Sequence, residues 1–277
     1  MTFVPKVKSM IAVTLIAVSA LPALAQENDR LEQFLTVTGF DVALESIRLT
    51  ASSAPSIIGL EAEDFGAQWT RLVDEVFDTD LMHDMAVDIL DEALSDDLLD
   101  HAVAFYDSDL GRRLVAVEND SHMTEDDGLK TESGEAIVAG LLRIGSPRLE
   151  ELKRLNAASG SEDASIHAIQ EVQVRFLMAA ATAGVIELRM DEEDLRESFK
   201  AREGEMRRAM QIAGLSSSAY TYQAFSDDEI TAYADALEHP KMQDVYALMN
   251  AVQFEIMADR YEAVAEGLSA LQPSQEL

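Results

Sequence analysis

The chain has 277 residues, with 52 acidic side chains against 21 lysines and arginines, for a net charge of −31 at neutral pH. Such a surface repels nucleic acid and anionic lipid, so neither is expected as a partner. Cysteine is absent, which removes disulfide exchange and thiolate metal sites, and the 48% hydrophobic content is ample for a core without covalent staples.

Residues 1–25 read as an export signal. Lys6 and Lys8 precede an apolar run from Met10 to Ala20, and Ala23-Leu24-Ala25 is a small-x-small cleavage sequence. Cleavage is expected between Ala25 and Gln26, giving a periplasmic protein. The apolar run falls short of the roughly 20 residues a spanning helix needs, so no stable membrane insertion is expected after cleavage. Loss of the two lysines takes the net charge from −31 to −33.

The rest carries helical period almost throughout, and no alternating β-branched run predicts a strand. Trp69 lies at helical spacing with Phe65, Leu72 and Phe77 and is expected in the core. Leu81/Met82, Met85/Ala86, Ile89/Leu90 and Ala93/Leu94 make one stripe at four-residue spacing. Ser95 then predicts an N-cap whose hydroxyl accepts from backbone N–H groups, with Asp96 and Asp97 in the first turn. Ser108-Asp109 predicts the next helix start. Residues 119–134 are polar, contain the turn signal Asp126-Asp127-Gly128, and are expected as a linker. They do not form an EF-hand, because with Gly128 at the sixth position Met123 and Gly134 fall at the first and twelfth.

Further along, Ser146-Pro147 opens a helix from Arg148 to Ala158, and Gly160 is expected in the left-handed conformation that ends it. Ser161 caps a helix burying Ile166, Ile169, Val172 and Phe176, and Asp191 caps one running towards Met210. Ser226 with Glu229 forms a capping box, and Pro240 suits a first helical position. Met242, Val245, Met249, Val252 and Ile256 then step by three and four, a seam that packs either on the same chain or on a second copy as a homodimer. The tail beyond Gly267 is expected to fray.

One phrase occurs twice. Ala93-Leu94-Ser95-Asp96-Asp97 returns as Ala224-Phe225-Ser226-Asp227-Asp228, a shift of 131 residues, with Leu99, Ala102 and Tyr106 opposite Ile230, Tyr233 and Leu237. The expected fold is therefore all-α: two degenerate multi-helix repeats, 26–118 and 135–277, packed as a helical bundle behind a cleaved signal peptide.

With these features laid out, the chain resembles the secreted bacterial helical proteins known as domain of unknown function 2059. The resemblance rests on an aromatic pair, a capped turn and a following glycine, here Phe105-Tyr106-Asp107-Ser108-Asp109-Leu110-Gly111. In the second copy, Leu237-Glu238-His239-Pro240 keeps the turn but not the aromatic pair or glycine, and Ala219-Tyr220-Thr221-Tyr222 precedes it. The resemblance implies an all-helical exported protein and brings no catalytic residues.

Chemistry is sparse in the sequence. There is no H-E-x-x-H motif, no phosphate-cradling glycine loop and no nucleophile elbow, and no cofactor is implied. Asp80, His83 and Asp84 share one helix face at i, i+3, i+4, extended by Asp88 and Asp91, and form the best local set for a divalent cation. Arg112 and Arg113 stand out in an acidic chain beside Tyr106, and these three residues are the candidate partner-binding set. The leading expectation is a non-enzymatic binding protein whose partner is an envelope protein or a small ligand. The alternatives are a metal-assisted enzyme around Asp80 and a self-assembling structural protein.

Overall fold

The computed structural model describes residues 21–51, 54–124 and 127–271. Most of the expected signal, including its apolar run, and the tail from residue 272 lie outside them. Every regular element is helical, and no strand occurs among the described residues. None of these helices is long and apolar enough to cross a membrane.

Helices α1 (Leu21–Thr38) and α2 (Phe40–Thr50) meet at Gly39, followed by a short α3 (Ala54–Ile57), a 3-10 turn (Ala62–Phe65), α4 (Ala67–Val76) and α5 (Thr79–Ala93). The expected cleavage point lies inside α1. A close-coupled pair comes next, α6 (Asp96–Tyr106) and α7 (Asp109–His122). Then follow α8 (Asp127–Ile144), α9 (Arg148–Ala158), α10 (Glu162–Thr182), α11 (Glu192–Ala201) and α12 (Glu203–Thr221). A second pair, α13 (Asp227–Leu237) and α14 (Pro240–Leu268), closes the fold.

Helix starts follow the side chains that can satisfy their orphan N–H groups. Ser108 Oγ accepts from Gly111 N at 3.0 Å, Ser161 Oγ from Ala164 N at 3.4 Å, and the Asp191 carboxylate from Asp194 N at 3.0 Å. The Ser226 box is complete, with Glu229 N donating to the hydroxyl and the Glu229 carboxylate accepting from Ser226 N at 2.8 Å. Pro240 sits in the first turn of α14. Ser95 holds the N-cap position with extended backbone, but its hydroxyl accepts no capping bond. Asp96 and Asp97 alone complement that helix end.

Three expectations are corrected. Most of segment 119–134 is helix where a linker was expected: α7 runs to His122 and α8 starts at Asp127. Its polarity is that of solvent-facing helix surface, while Gly134 lets α8 lie against α12, where a Cβ would come within 2.2 Å of the Ser216 carbonyl oxygen. The helix from Asp191 breaks at Arg202 into α11 and α12. Gly160 is not among the left-handed glycines; a Cβ there would lie 2.9 Å from Asn250 Nδ2, so close approach of α14 is what calls for glycine.

The organising element is α14. At about 1.5 Å per residue its 29 residues span about 44 Å. Met242, Val245, Val252 and Ile256 are at most 1% exposed, so the seam is filled by the chain's own helices, chiefly α10, α6, α5 and α4. Ala258, Tyr261, Val264, Ala265 and Leu268 are buried as well, which turns the buried face along the helix rather than keeping it on one stripe. Buried residues from Leu31 in α1 to Leu268 in α14 form one continuous cluster, with Trp69 inside it, so the two expected units share a single core.

Gly111 sits where α7 leaves α6, and a Cβ there would be 2.4 Å from the Phe105 carbonyl oxygen and 2.6 Å from Tyr106 Cα. Backbone cannot step aside as a side chain would. Gly111→Ala is therefore expected to cost about 2 kcal/mol or more, read as a lower urea midpoint at unchanged slope. Where α6 meets the start of α14, the His101 and His239 rings stack with centroids 4.3 Å apart. Burial, then the neighbouring His239 and Lys241, hold the His101 imidazole below its ordinary pKa. The unfolded chain binds that proton more tightly, so the contribution is intact above about pH 6.5 and is lost as pH falls below it. Chemical denaturation of His101→Gln between pH 7 and 5 should show a shallower loss of stability than the parent.

Candidate functional site

Four tyrosine hydroxyls and one carboxylate converge where α6, α7, α12, α13 and α14 approach. On α7, Gly111, Leu114 and Val115 form the buried stripe, and Glu118 continues it one turn on, so the helix carries a carboxylate inward. Tyr222 and Tyr233 both donate to Glu118 Oε1, at 2.7 and 2.9 Å. Tyr233 and Tyr246 hydroxyls are 3.0 Å apart, and Tyr106 lies 2.5 Å from Tyr246 and 3.3 Å from Tyr233. Ring packing fixes these positions: Phe105 stacks on Tyr233 at 5.8 Å, and Tyr222 meets it edge-on at 6.0 Å.

The protonation states follow from burial. Loss of water raises all four tyrosines above their ordinary value, and the Glu118 charge adds to this for each of them. They therefore stay neutral donors. Burial also raises Glu118, opposed by the hydrogen bonds from Tyr222 and Tyr233. Both of those bonds fall on Oε1. Oε2 accepts from no described residue.

Glu118 borders a cavity of about 280 Å³. Its wall draws Gly39 and Phe40 from the α1–α2 junction, Asn119 and His122 from α7, Asn156 from α9, and Asn250 and Gln253 from α14. Gly39 is left-handed at φ 71°, and a Cβ there would strike Asn119 Oδ1 at 2.4 Å. Ser218 donates to Asn156 Oδ1 at 2.5 Å, and Asn250 donates to the Ser159 carbonyl oxygen at 3.0 Å, so part of the amide lining is held in place. Two larger clefts, of about 560 and 740 Å³, flank α14 and share Asn250 with this cavity.

The candidate residues read from sequence lie elsewhere or act differently. Asp80 and His83 border a shallow depression with Asp41 and Glu45, and His83 Nε2 lies 3.0 Å from Glu32 Oε1. Among the described residues no three histidine or carboxylate groups, Asp84 included, gather as a metal set. Tyr106 is 2% exposed and belongs to the buried network rather than to a partner surface. Arg112 pairs with Asp107 at 2.9 Å. Arg113 pairs with Glu229 at 2.6 Å and lies over the Phe225 ring. Both arginines are spent on neighbouring groups. The inward carboxylate was the overlooked signal: Glu118 occupies i+7 of the Gly111 stripe, where an apolar residue is the usual choice.

Residues 80–139 match the family model described as "Uncharacterized protein conserved in bacteria (DUF2059)". The match covers α5, α6, α7 and much of α8, and so includes Tyr106, Gly111 and Glu118. No curated protein and no solved structure matches the chain.

Because folding raises the Glu118 pKa, its ionised form burdens the folded state at neutral pH. That burden is present above the folded pKa and relieved as pH falls through it towards the ordinary value of about 4.3. Glu118→Gln keeps an acceptor for Tyr222 and Tyr233 without the charge. It should raise the thermal midpoint at pH 7, with the difference from the parent shrinking on acidification.

Proposed function

We propose that this chain is an exported, non-enzymatic binding protein, built from two degenerate helical copies, that holds a small ligand in the Glu118 cavity. The supporting observation is that Glu118, whose Oε2 accepts from no described residue, lines a polar-walled cavity formed between both halves. A carboxylate so placed costs folding free energy and pairs with no described lysine or arginine, which is the pattern of a group kept for binding. About 280 Å³ lies just below the roughly 300–1,000 Å³ range of small-molecule pockets, which suits a ligand smaller than a nucleotide. The α6–α7 and α13–α14 pairs begin at positions related by the same 131-residue shift as the repeated phrase, Asp96 with Asp227 and Asp109 with Pro240. That correspondence supports duplication, and a cavity between duplicated halves is a natural place for a site.

Thermal denaturation against a library of small polar metabolites tests this proposal. At one hundred times Kd, a ligand adds about 2.7 kcal/mol, worth roughly 5–10 °C for a chain of this size. Compounds that raise the midpoint of the parent but not of Asn119→Leu, whose side chain borders this cavity and neither of the larger clefts, are the expected result. A library without such compounds would overturn the proposal.

A further inference from the structure

We infer that the ligand of the Glu118 cavity is a small organic monocation, an ammonium group carried on a short alkyl or hydroxyalkyl chain. This rests on the cavity being a ligand site.

The charges facing the cavity leave one vacancy of known sign. Among its described lining residues there is no lysine or arginine, and the titratable groups are Glu118, His122, Tyr222, Tyr233 and Tyr246. The tyrosines are held neutral by burial, as above. Partial removal from water and then the Lys130 charge favour the neutral form of His122. When ionised, Glu118 is the one charge among the described lining residues, with one oxygen accepting from two phenols and the other from no described residue. A neutral ligand would leave that carboxylate half-solvated in a confined space, and an anion would be repelled. A cation restores the balance.

The rest of the wall fits the same class. Phe40, Tyr222, Tyr233 and Tyr246 border the cavity, and aromatic faces attract an alkylammonium as well as its carbon chain. The amides of Asn119, Asn156, Asn250 and Gln253 suit a hydroxyl or a second polar group. A bare divalent metal is disfavoured because it needs several oxygen ligands, and no three metal-binding side chains gather among the described residues. The surrounding excess of acid raises the local concentration of cations and speeds their encounter.

Calorimetric titration of the full mature chain decides the matter with matched probes: choline, its uncharged carbon isostere 3,3-dimethylbutan-1-ol, n-butylammonium and butyrate. The expected result is binding of the two ammonium compounds at least tenfold tighter than of the alcohol, with no binding of butyrate. Glu118→Gln should abolish the preference of choline over its isostere while retaining a cooperative thermal transition. Tyr233→Phe, a variant that leaves the carboxylate in place, should weaken choline less than Glu118→Gln does. Equal or tighter binding of the alcohol or of butyrate would overturn the cation inference and leave the cavity standing as a ligand site. Failure of every probe would overturn the inference as well, and the library result with Asn119→Leu would then judge the cavity itself.

Discussion

The burial of α14 along its whole length, on a face that turns between Met242 and Leu268 and leaves Asp244, Ala247, Ala251 and Glu255 exposed, is the constraint on which the other elements depend. A helix with one apolar stripe needs one neighbour, whereas this one needs several, and α4, α5, α6 and α10 answer it. Because these neighbours come from both halves of the chain, the core does not divide into two. The same requirement decides the fate of the Met242–Ile256 seam: its knobs are already seated. It also places Tyr246, one residue from the seam position Val245, against Tyr233 and Tyr106. The polar network is a consequence of how the long helix is enclosed.

The scarce cations are used as cross-links between helices. Arg30 joins α1 to Asp96 and Asp100 of α6, Arg148 joins α9 to Asp227, and Arg154 reaches Asp235 and Glu238 of α13. Arg175 ties α10 to Glu255 and Glu262 of α14, and Arg207 ties α12 to Asp163 of α10. Individually such pairs contribute little where they are solvated. Their value lies in register, since each arginine finds carboxylates from a different element.

Much of the fold was legible because helix punctuation is local chemistry. Ser108, Ser161, Asp191, Ser226 and Pro240 each mark a start where side-chain and backbone donors demand one. Burial of Trp69 and of the α14 seam was legible from period alone. What stayed hidden depends on contacts distant in sequence. Polar residues 119–134 look alike whether they form a loop or a solvated helix, and only α12 distinguishes the two. Gly160 responds to Asn250 rather than to its own helix end. Tyr106, Tyr233 and Glu118 sit at core spacing on separate helices, and nothing in their own segments says that their polar tips meet. Arg112 and Arg113 drew the eye by contrast with an acidic chain, though that same acidity guarantees them partners.

The network of cross-linking arginines within so acidic a chain has a consequence for ionic strength. Added salt weakens each exposed arginine–carboxylate pair, and it also screens repulsion among carboxylates that have no cation to meet. With 52 acids against 21 bases, the second effect involves many more groups than the first. The folded state, which brings these like charges closer than the extended chain does, is thus the state that salt favours. Dissolved ions complete the surface of this protein much as its few arginines complete the contacts between its helices.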